Sequence, residues 1–298
     1  MKFLLIIKQE YISRIRRNSF IITTLATPFF MFLLASLPSL FFEAENDALG
    51  TDMIQAGLTQ MTSAEASASL AIIFSFLLYI FIFTYGSLVM RSIVSEKSNK
   101  ILEVMFLSVK PLEMMYGKII SVALVGITQF AAWAVILFLL NSISSTDDNI
   151  SFIASVASNA EWGSLLPCII IYSLLGYLLY ASLFAAIGAV SGPETDTQQF
   201  LLPVMLPIVF AIYSSIQTAY YPDNDIAMWC SFIPLTSPIV MTSRLCYGVE
   251  SWEVLLSMLI LTVTVILTTY LSGKIYKSAI LLHGKRLTYK DISDFLKI

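Results

Sequence analysis

Residues 70–90, LAIIFSFLLYIFIFTYGSLVM, contain no Asp, Glu, Lys, Arg or His. A run of this kind constrains the fold more than any other feature of the chain. A bilayer's hydrocarbon core is about 30 Å thick, and about 20 apolar residues in a helix cross it. Lipid offers no hydrogen-bond partners, so a spanning backbone must satisfy itself in a helix or a closed barrel. Barrel strands would alternate in segments of about ten residues, and this run does not alternate. Similar runs recur, so the sequence predicts six spans at 20–42, 70–90, 119–140, 165–190, 200–216 and 254–271, all free of Asp, Glu, Lys, Arg and His. Composition agrees: only 12% of residues are charged and mean hydropathy is +0.82, against about 25% charged in soluble domains. The first run is too long for a secretory signal, begins too far in, and lacks a small-residue cleavage site before Glu43, so it reads as a membrane helix.

The basic residues predict orientation. Lys2, Lys8, Arg14, Arg16 and Arg17 precede the first span. Arg91, Lys97, Lys100, Lys110 and Lys118 lie between the second and third, and Lys274, Lys277, Lys285, Arg286, Lys290 and Lys297 follow the sixth. That places 16 of the 17 basic residues on one side, Arg244 being the exception. By the positive-inside rule both termini and the 91–118 connection are cytoplasmic, in a multi-pass plasma (inner) membrane protein. The opposite side is acidic, with Glu43, Glu45, Asp47, Asp52, Asp147, Asp148, Asp223 and Asp225.

The chain divides into an N-terminal segment 1–19, a membrane domain 20–271 and a basic tail 272–298. In the first, Leu4, Ile7, Tyr11 and Ile15 fall at helical spacing among basic residues. This predicts an amphipathic helix in the inner interface, a simple anchor or an element that also touches a cytoplasmic partner. In the fourth span Gly188 and Gly192 form G-x-x-x-G, with Ala181 and Ala185 on the same side. Small residues allow close helix packing, within the chain or across a dimer. Segment 226–245 is mostly apolar, but Pro234 and Pro238 prevent it from crossing as one helix. A re-entrant helical pair dipping in from outside is expected, an external gate with Pro234, Thr236, Ser237 and Pro238 at its turn; a surface helix on the outer leaflet is the alternative. Cys230 and Cys246 share this external loop and either pair, in an oxidising compartment, or stay as buried thiols.

The connection 94–118 is charged and helical in pattern. Glu96 and Lys100 stand at i, i+4 in the order that favours an ion pair, and Glu103 continues that face. Pro111 suits the first position of a second helix, with Glu113 near its positive end, and this helix can run through Gly117 and Lys118 into the third span. The expected shape is an elbow: a charged helix along the inner surface from about 95 to 107, then a bend into the membrane.

Several classes of function are excluded. There is no G-x-x-x-x-G-K-[ST], so this chain has no P-loop for ATP. It has no H-E-x-x-H and no G-x-S-x-G, and one histidine, His283, makes a metal site improbable. Gradient-driven transporters place ionisable residues in their pathway, where each costs about 2.5–3.5 kcal/mol at the helix centre. With none in the spans, energy comes from outside the membrane domain, or the protein is a passive channel or scaffold.

Four motifs carry a resemblance. EKSNKILEVMFLSVKPLEMMYGKII (96–120) resembles the loop between the second and third helices of ABC transporter type-2 permeases, most of all the NatB-like sodium-exporter branch. The matching residues are Glu96, Lys97, Asn99, Lys100, Glu103, Ser108, Pro111, Gly117 and Lys118. SGPETDTQQFLLPVMLP resembles the loop into the fifth helix, FIPLTSPIVMTSRL the type-2 signature before the last helix, and KIYKSAILLHGKRLTYKDISDFLK the NatB-like tail. One departure is that NatB-like chains carry a sizeable external domain between their first two helices, where 43–69 is a short link. The resemblance implies an all-α, six-helix permease, acting as a homodimer or heterodimer. ATP and Mg would be held by a separate P-loop subunit, and no cofactor by this chain itself. Residues 96–107 would be the coupling helix that couples to that ATPase, and export, of Na⁺ in the closest branch, the activity. Glu194, Asp196 and Gln217, with Thr84, Gln129 and Thr218, are candidate oxygens for an ion path, or ordinary loop and interhelical groups. A drug, peptide or lipid is the alternative cargo. Lipids are expected partners; nucleic acid is not.

Overall fold

The computed structural model describes residues 2–17, 20–22, 24, 63–99, 110–143, 162–191, 194–221 and 224–281. Among them every regular element is a helix: α1 (Lys2–Ile15), α2 (Ser63–Ser98), α3 (Pro111–Ile143), α4 (Trp162–Val190), α5 (Glu194–Tyr220), α6 (Asp225–Phe232), α7 (Ser237–Leu245) and α8 (Ser251–Leu281). Five are long and apolar enough to cross a membrane, over Ala71–Ser98, Pro111–Trp133, Leu165–Val190, Phe200–Ala219 and Ser251–Ala279. The predicted span 20–42 lies outside the described residues except for the helical Phe20, Ile21, Ile22 and Thr24. There Thr24 gives its carbonyl to Trp133 Nε1 at 3.1 Å.

The helices outrun the apolar windows, for a physical reason. Hydropathy locates lipid, whereas hydrogen bonding carries a helix past the interface until a stop signal. α2 therefore continues through Glu96 and Lys97 to Ser98, with the Asn99 amide still bonded to Ser95 O at 3.1 Å. Residues 95–98 are thus the end of a membrane helix, not the start of a separate one as expected. α3 does begin at Pro111, which needs no amide partner, and runs through Gly117 and Lys118. α8 takes in 272–281, the first part of the predicted tail.

α4 is the central helix, packed along α2 on one side and α8 on the other. Its close approach to α2 depends on Gly188: a Cβ there would lie 2.9 Å from Met90 O. The small-residue face therefore packs within the chain at this point, while Gly192 lies outside the described residues. Tyr172, Tyr177 and Tyr180 of α4 are fully buried. Their hydroxyls donate to Val254 O of α8 (3.1 Å), Ile119 O of α3 (2.8 Å) and Leu235 O of the α6–α7 turn (2.5 Å). A buried hydroxyl needs such a partner.

The segment with two prolines forms two short helices. Asn224 caps α6, accepting from the Ile226 amide at 3.0 Å, and residues 233–236 turn the chain into α7, with Pro238 in its first turn. Residues 237–243 of α7 are buried against α2, α4 and α5. Cys230 and Cys246 are free thiols. The outward faces of α5 and α8 remain apolar, including Leu206 and Val209, and Leu259 and Ile266.

Candidate functional site

At the end of the bundle where α2 stops and α3 starts, Lys118 is 1% exposed. A lone buried ammonium costs several kcal/mol, so its three donors must all be used. They are: Nζ donates to Glu10 Oε1 of α1 at 2.9 Å, to Ser92 Oγ of α2 at 2.9 Å, and to Glu96 Oε1 of α2. Glu10 is shared, its other oxygen accepting from Arg14 Nη2 at 3.1 Å. Two carboxyl groups thus face two cations. Burial works against the charged form of Glu10, but the Lys118 ammonium and then the Arg14 guanidinium more than reverse this, so the carboxyl ionises below its ordinary range.

Local sequence places these groups. Gly117 lets α1 lie close to α3, since a Cβ there would be 3.0 Å from Ile6 Cγ2. That contact brings Glu10, one turn on from Ile6, onto Lys118. Ser92 and Glu96 are four residues apart and so share one face of α2. Two buried oxygens nearby, Glu96 Oε2 and Tyr276 Oη of α8, have no hydrogen-bond partner among the described residues.

A second tie lies beside the first. Lys97 Nζ donates to Ala189 O at 2.6 Å and to Ser191 O at 3.0 Å, at the C-terminal end of α4. Those carbonyls have no partner within the helix, and the helix dipole favours a cation there. The two neighbouring residues therefore bind α2 to different helices, Glu96 to Lys118 of α3, which in turn holds α1, and Lys97 to α4.

Of the residues expected to form the coupling segment, Glu96 and Lys97 are brought into these ties. Asn99 is exposed at the helix end, and Pro111 opens α3. Lys100, Glu103 and Ser108 lie outside the described residues. Glu96 takes Lys118 as a partner, a residue 22 positions away on another helix. Reading by sequence named Lys118 only as a motif residue and did not single out Glu10, Ser92 or Tyr276. The available signal was an acid, Glu10, on the same side of α1 as Ile6 and Tyr11 in an otherwise basic segment.

The residues expected at an external gate cluster at the opposite end. Thr236 Oγ1 donates to Cys230 O at 2.6 Å, Ser237 Oγ and Ser257 Oγ are 2.8 Å apart, and Pro238 packs where a Cβ on Gly176 would meet it at 2.7 Å. Pro234 is half-buried in the turn. Arg244 closes the cluster, reaching Ser231 Oγ at 2.7 Å and pairing with Glu253 Oε2 at 2.8 Å.

The candidate path oxygens among the described residues are engaged locally or exposed. Gln217 bonds to exposed Tyr213 at 3.1 Å, Thr218 to Ser214 O at 2.9 Å, Gln129 takes the Tyr85 hydroxyl, and Thr84 is exposed. Glu194 and Asp196 stand in the first turn of α5, their side chains outside the described set. No group of His, Cys, Asp and Glu suited to a metal ion occurs among the described residues. The junction holds three helices to one charge.

A family model described as ABC-2 family transporter protein matches residues 43–274. The uncharacterized protein YhaP of Bacillus subtilis (strain 168) is 26% identical over 254 residues, which is 84% of this chain and 60% of the relative. The uncharacterized protein MJ1024 of Methanocaldococcus jannaschii is 28% identical over 227 residues, 76% of this chain and 53% of the relative. The chain therefore spans little more than half the length of these curated relatives. No solved structure matches the chain.

Proposed function

The chain belongs to the ABC-2 family of transporter proteins, and from that premise we propose that it is the permease subunit of an ATP-driven exporter, energised by a separate P-loop ATP-binding subunit. The observation that carries this reading is the Lys118 junction. It joins α1, α2 and α3 at the two ends of the 99–110 connection, the segment expected to meet the ATPase. A push on that connection would be felt at Glu96 and Pro111 together, and Lys97 would pass it to the central helix α4. A rigid element with such ties moves as a unit rather than bending within itself. The permease is proposed to act as a homodimer or heterodimer, with ATP and Mg held only by the partner subunit and with both termini cytoplasmic. The α6–α7 pair, entering from the outer side, is its external gate, and Arg244, Glu253 and Ser257 hold it closed in this state.

Na⁺ is the proposed cargo, on the resemblance to the NatB-like branch, with Glu194 and Asp196 at the inner mouth. A second cargo class, an amphipathic drug, peptide or lipid, is favoured by one observation: the spans present exposed apolar faces, such as Leu206 and Val209 of α5. The test is nucleotide-dependent flux of radiolabelled Na⁺ in vesicles holding this chain with its ATPase. ATP-driven flux that is lost when Glu96 and Glu103 are neutralised supports the coupling. Flux without nucleotide, or no stable ATPase partner, overturns it in favour of a passive channel or scaffold. ATPase activity stimulated by an amphipathic solute and not by Na⁺ reassigns the cargo.

A further inference from the structure

α1 is amphipathic in a different sense from the one its sequence suggests. Its inward side is Ile6, Glu10, Tyr11, Arg14 and Ile15, which meet α3 and the core. Its outward side carries Leu4 and Leu5, 68% and 64% exposed, with Lys8, Gln9, Ser13 and, just past the helix end, Arg16 and Arg17 exposed beside them. Glu10, the acid of α1, is consumed by Lys118 and Arg14, so every charge on the outward side is positive. Exposed leucines are unfavourable against water and exposed arginines against hydrocarbon. A surface bearing both fits the headgroup layer, where apolar side chains enter the acyl boundary and basic ones meet phosphate.

The height of α1 agrees with this independently. Ile6 lies on Gly117, next to Tyr116, and Tyr116 and Leu112 lie on Gly273 of α8. Adjoining Gly273, Lys274 sits 5.5 Å over the ring of exposed Tyr270. Tyr with Lys is the anchor pair of a membrane interface. At the other end of α8 Trp252 is exposed as well, roughly 27 Å away along the helix at 1.5 Å per residue, close to the hydrocarbon thickness of about 30 Å.

We propose that the outward side of α1 is a docking surface for the phosphate headgroups of anionic phospholipid in the leaflet beside it, with Lys8, Arg16 and Arg17 as the contacts and Leu4 and Leu5 as the insertion. Glu10 ties that surface to Lys118, so lipid charge bears on the junction that holds α2 and α3. Each basic side chain near an anionic surface contributes about fivefold in partitioning, hence about a hundredfold for three.

The test uses the full chain with Gln9→Cys carrying an environment-sensitive fluorophore. The native thiols, Cys168, Cys230 and Cys246, are half-buried or buried, so mild labelling selects the exposed one. In vesicles of neutral phosphatidylcholine with rising phosphatidylglycerol, the probe's emission should shift to the blue, and salt should reverse the shift. Lys8→Gln/Arg16→Gln/Arg17→Gln should keep the neutral-vesicle spectrum through the same titration, and inorganic phosphate should not replace the lipid. An unresponsive wild type, a salt-insensitive shift, or a triple variant that titrates like wild type overturns the proposal. A shift driven by phosphate alone assigns a free-anion site and overturns it too. Loss of the ATP-binding subunit from the triple variant, with its lipid response intact, assigns the surface to protein and also overturns it. Since the readout needs no transport, its failure is separate from failure of the exporter reading.

Discussion

Lys118→Met removes the charge on which the junction converges and leaves its volume nearly filled. The two carboxylates that share Lys118 are 22% and 18% exposed; Glu10 would keep Arg14, whereas Glu96 would lose its ion-pair partner among the described residues. Removing one member of a buried ion pair costs about 3–5 kcal/mol, because the other is left uncompensated. At roughly 2–4 °C per kcal/mol for a large domain, the melting temperature should fall by about 10 °C. The assay is thermal unfolding of the full chain in lipid nanodiscs, by intrinsic tryptophan fluorescence at a fixed scan rate. Glu96→Gln should cost less, since an amide oxygen still accepts from Lys118. Glu96→Gln/Lys118→Met should be more stable than the sum of the single losses predicts, with a coupling of about 1–3 kcal/mol. A fall under about 3 °C for Lys118→Met, or a strictly additive double variant, would show that the junction is not held by its charges.

Other outcomes follow from the same geometry. Gly188→Ala should cost about 1–3 kcal/mol by overpacking, because its Cβ meets the backbone oxygen of Met90, which cannot rotate away; the same unfolding scan reads it. Arg244→Met should cost about 3 kcal/mol and, in a permease complex, raise basal leak by freeing α7 from α8, which a flux assay reads. Glu10 has a folded pKa below its ordinary value of 4.5. Its contribution to stability is therefore complete above that value and lost as pH falls through the lower folded one, so Glu10→Gln should flatten the melting temperature against pH in that acidic window.

Five of the six expected spans were legible because lipid imposes one demand, apolar length, and runs such as 165–190 meet it without ambiguity. The α6–α7 break was legible because Pro234 and Pro238 forbid a through-helix. The junction was not legible, and Lys118 shows why. The sequence places Lys118 in a helix that starts at Pro111, as α3 does, but hydropathy begins the third span at Ile119 and so leaves Lys118 just outside the apolar window. A basic residue just outside an apolar window is normally a snorkelling anchor. Only a tertiary contact, α1 lying on Gly117, converts it into a buried cation. For Glu96 the tie that matters runs to another helix, a buried ammonium that outweighs several-fold the about 0.2–0.5 kcal/mol of an i, i+4 pair.

The three tyrosines of α4 have a bearing on how such a protein can change over generations. Each donates to a main-chain carbonyl, at Ile119, Leu235 and Val254, and every amino acid supplies that acceptor. The receiving positions are free to drift without loosening the tie, while the donating ones are not: Tyr→Phe at 172, 177 or 180 deletes the bond outright. The dependence runs in one direction, so no compensating pair of substitutions would record it. Comparing the two chemistries in a family alignment would then separate the helix that organises this bundle from the helices that merely attend it.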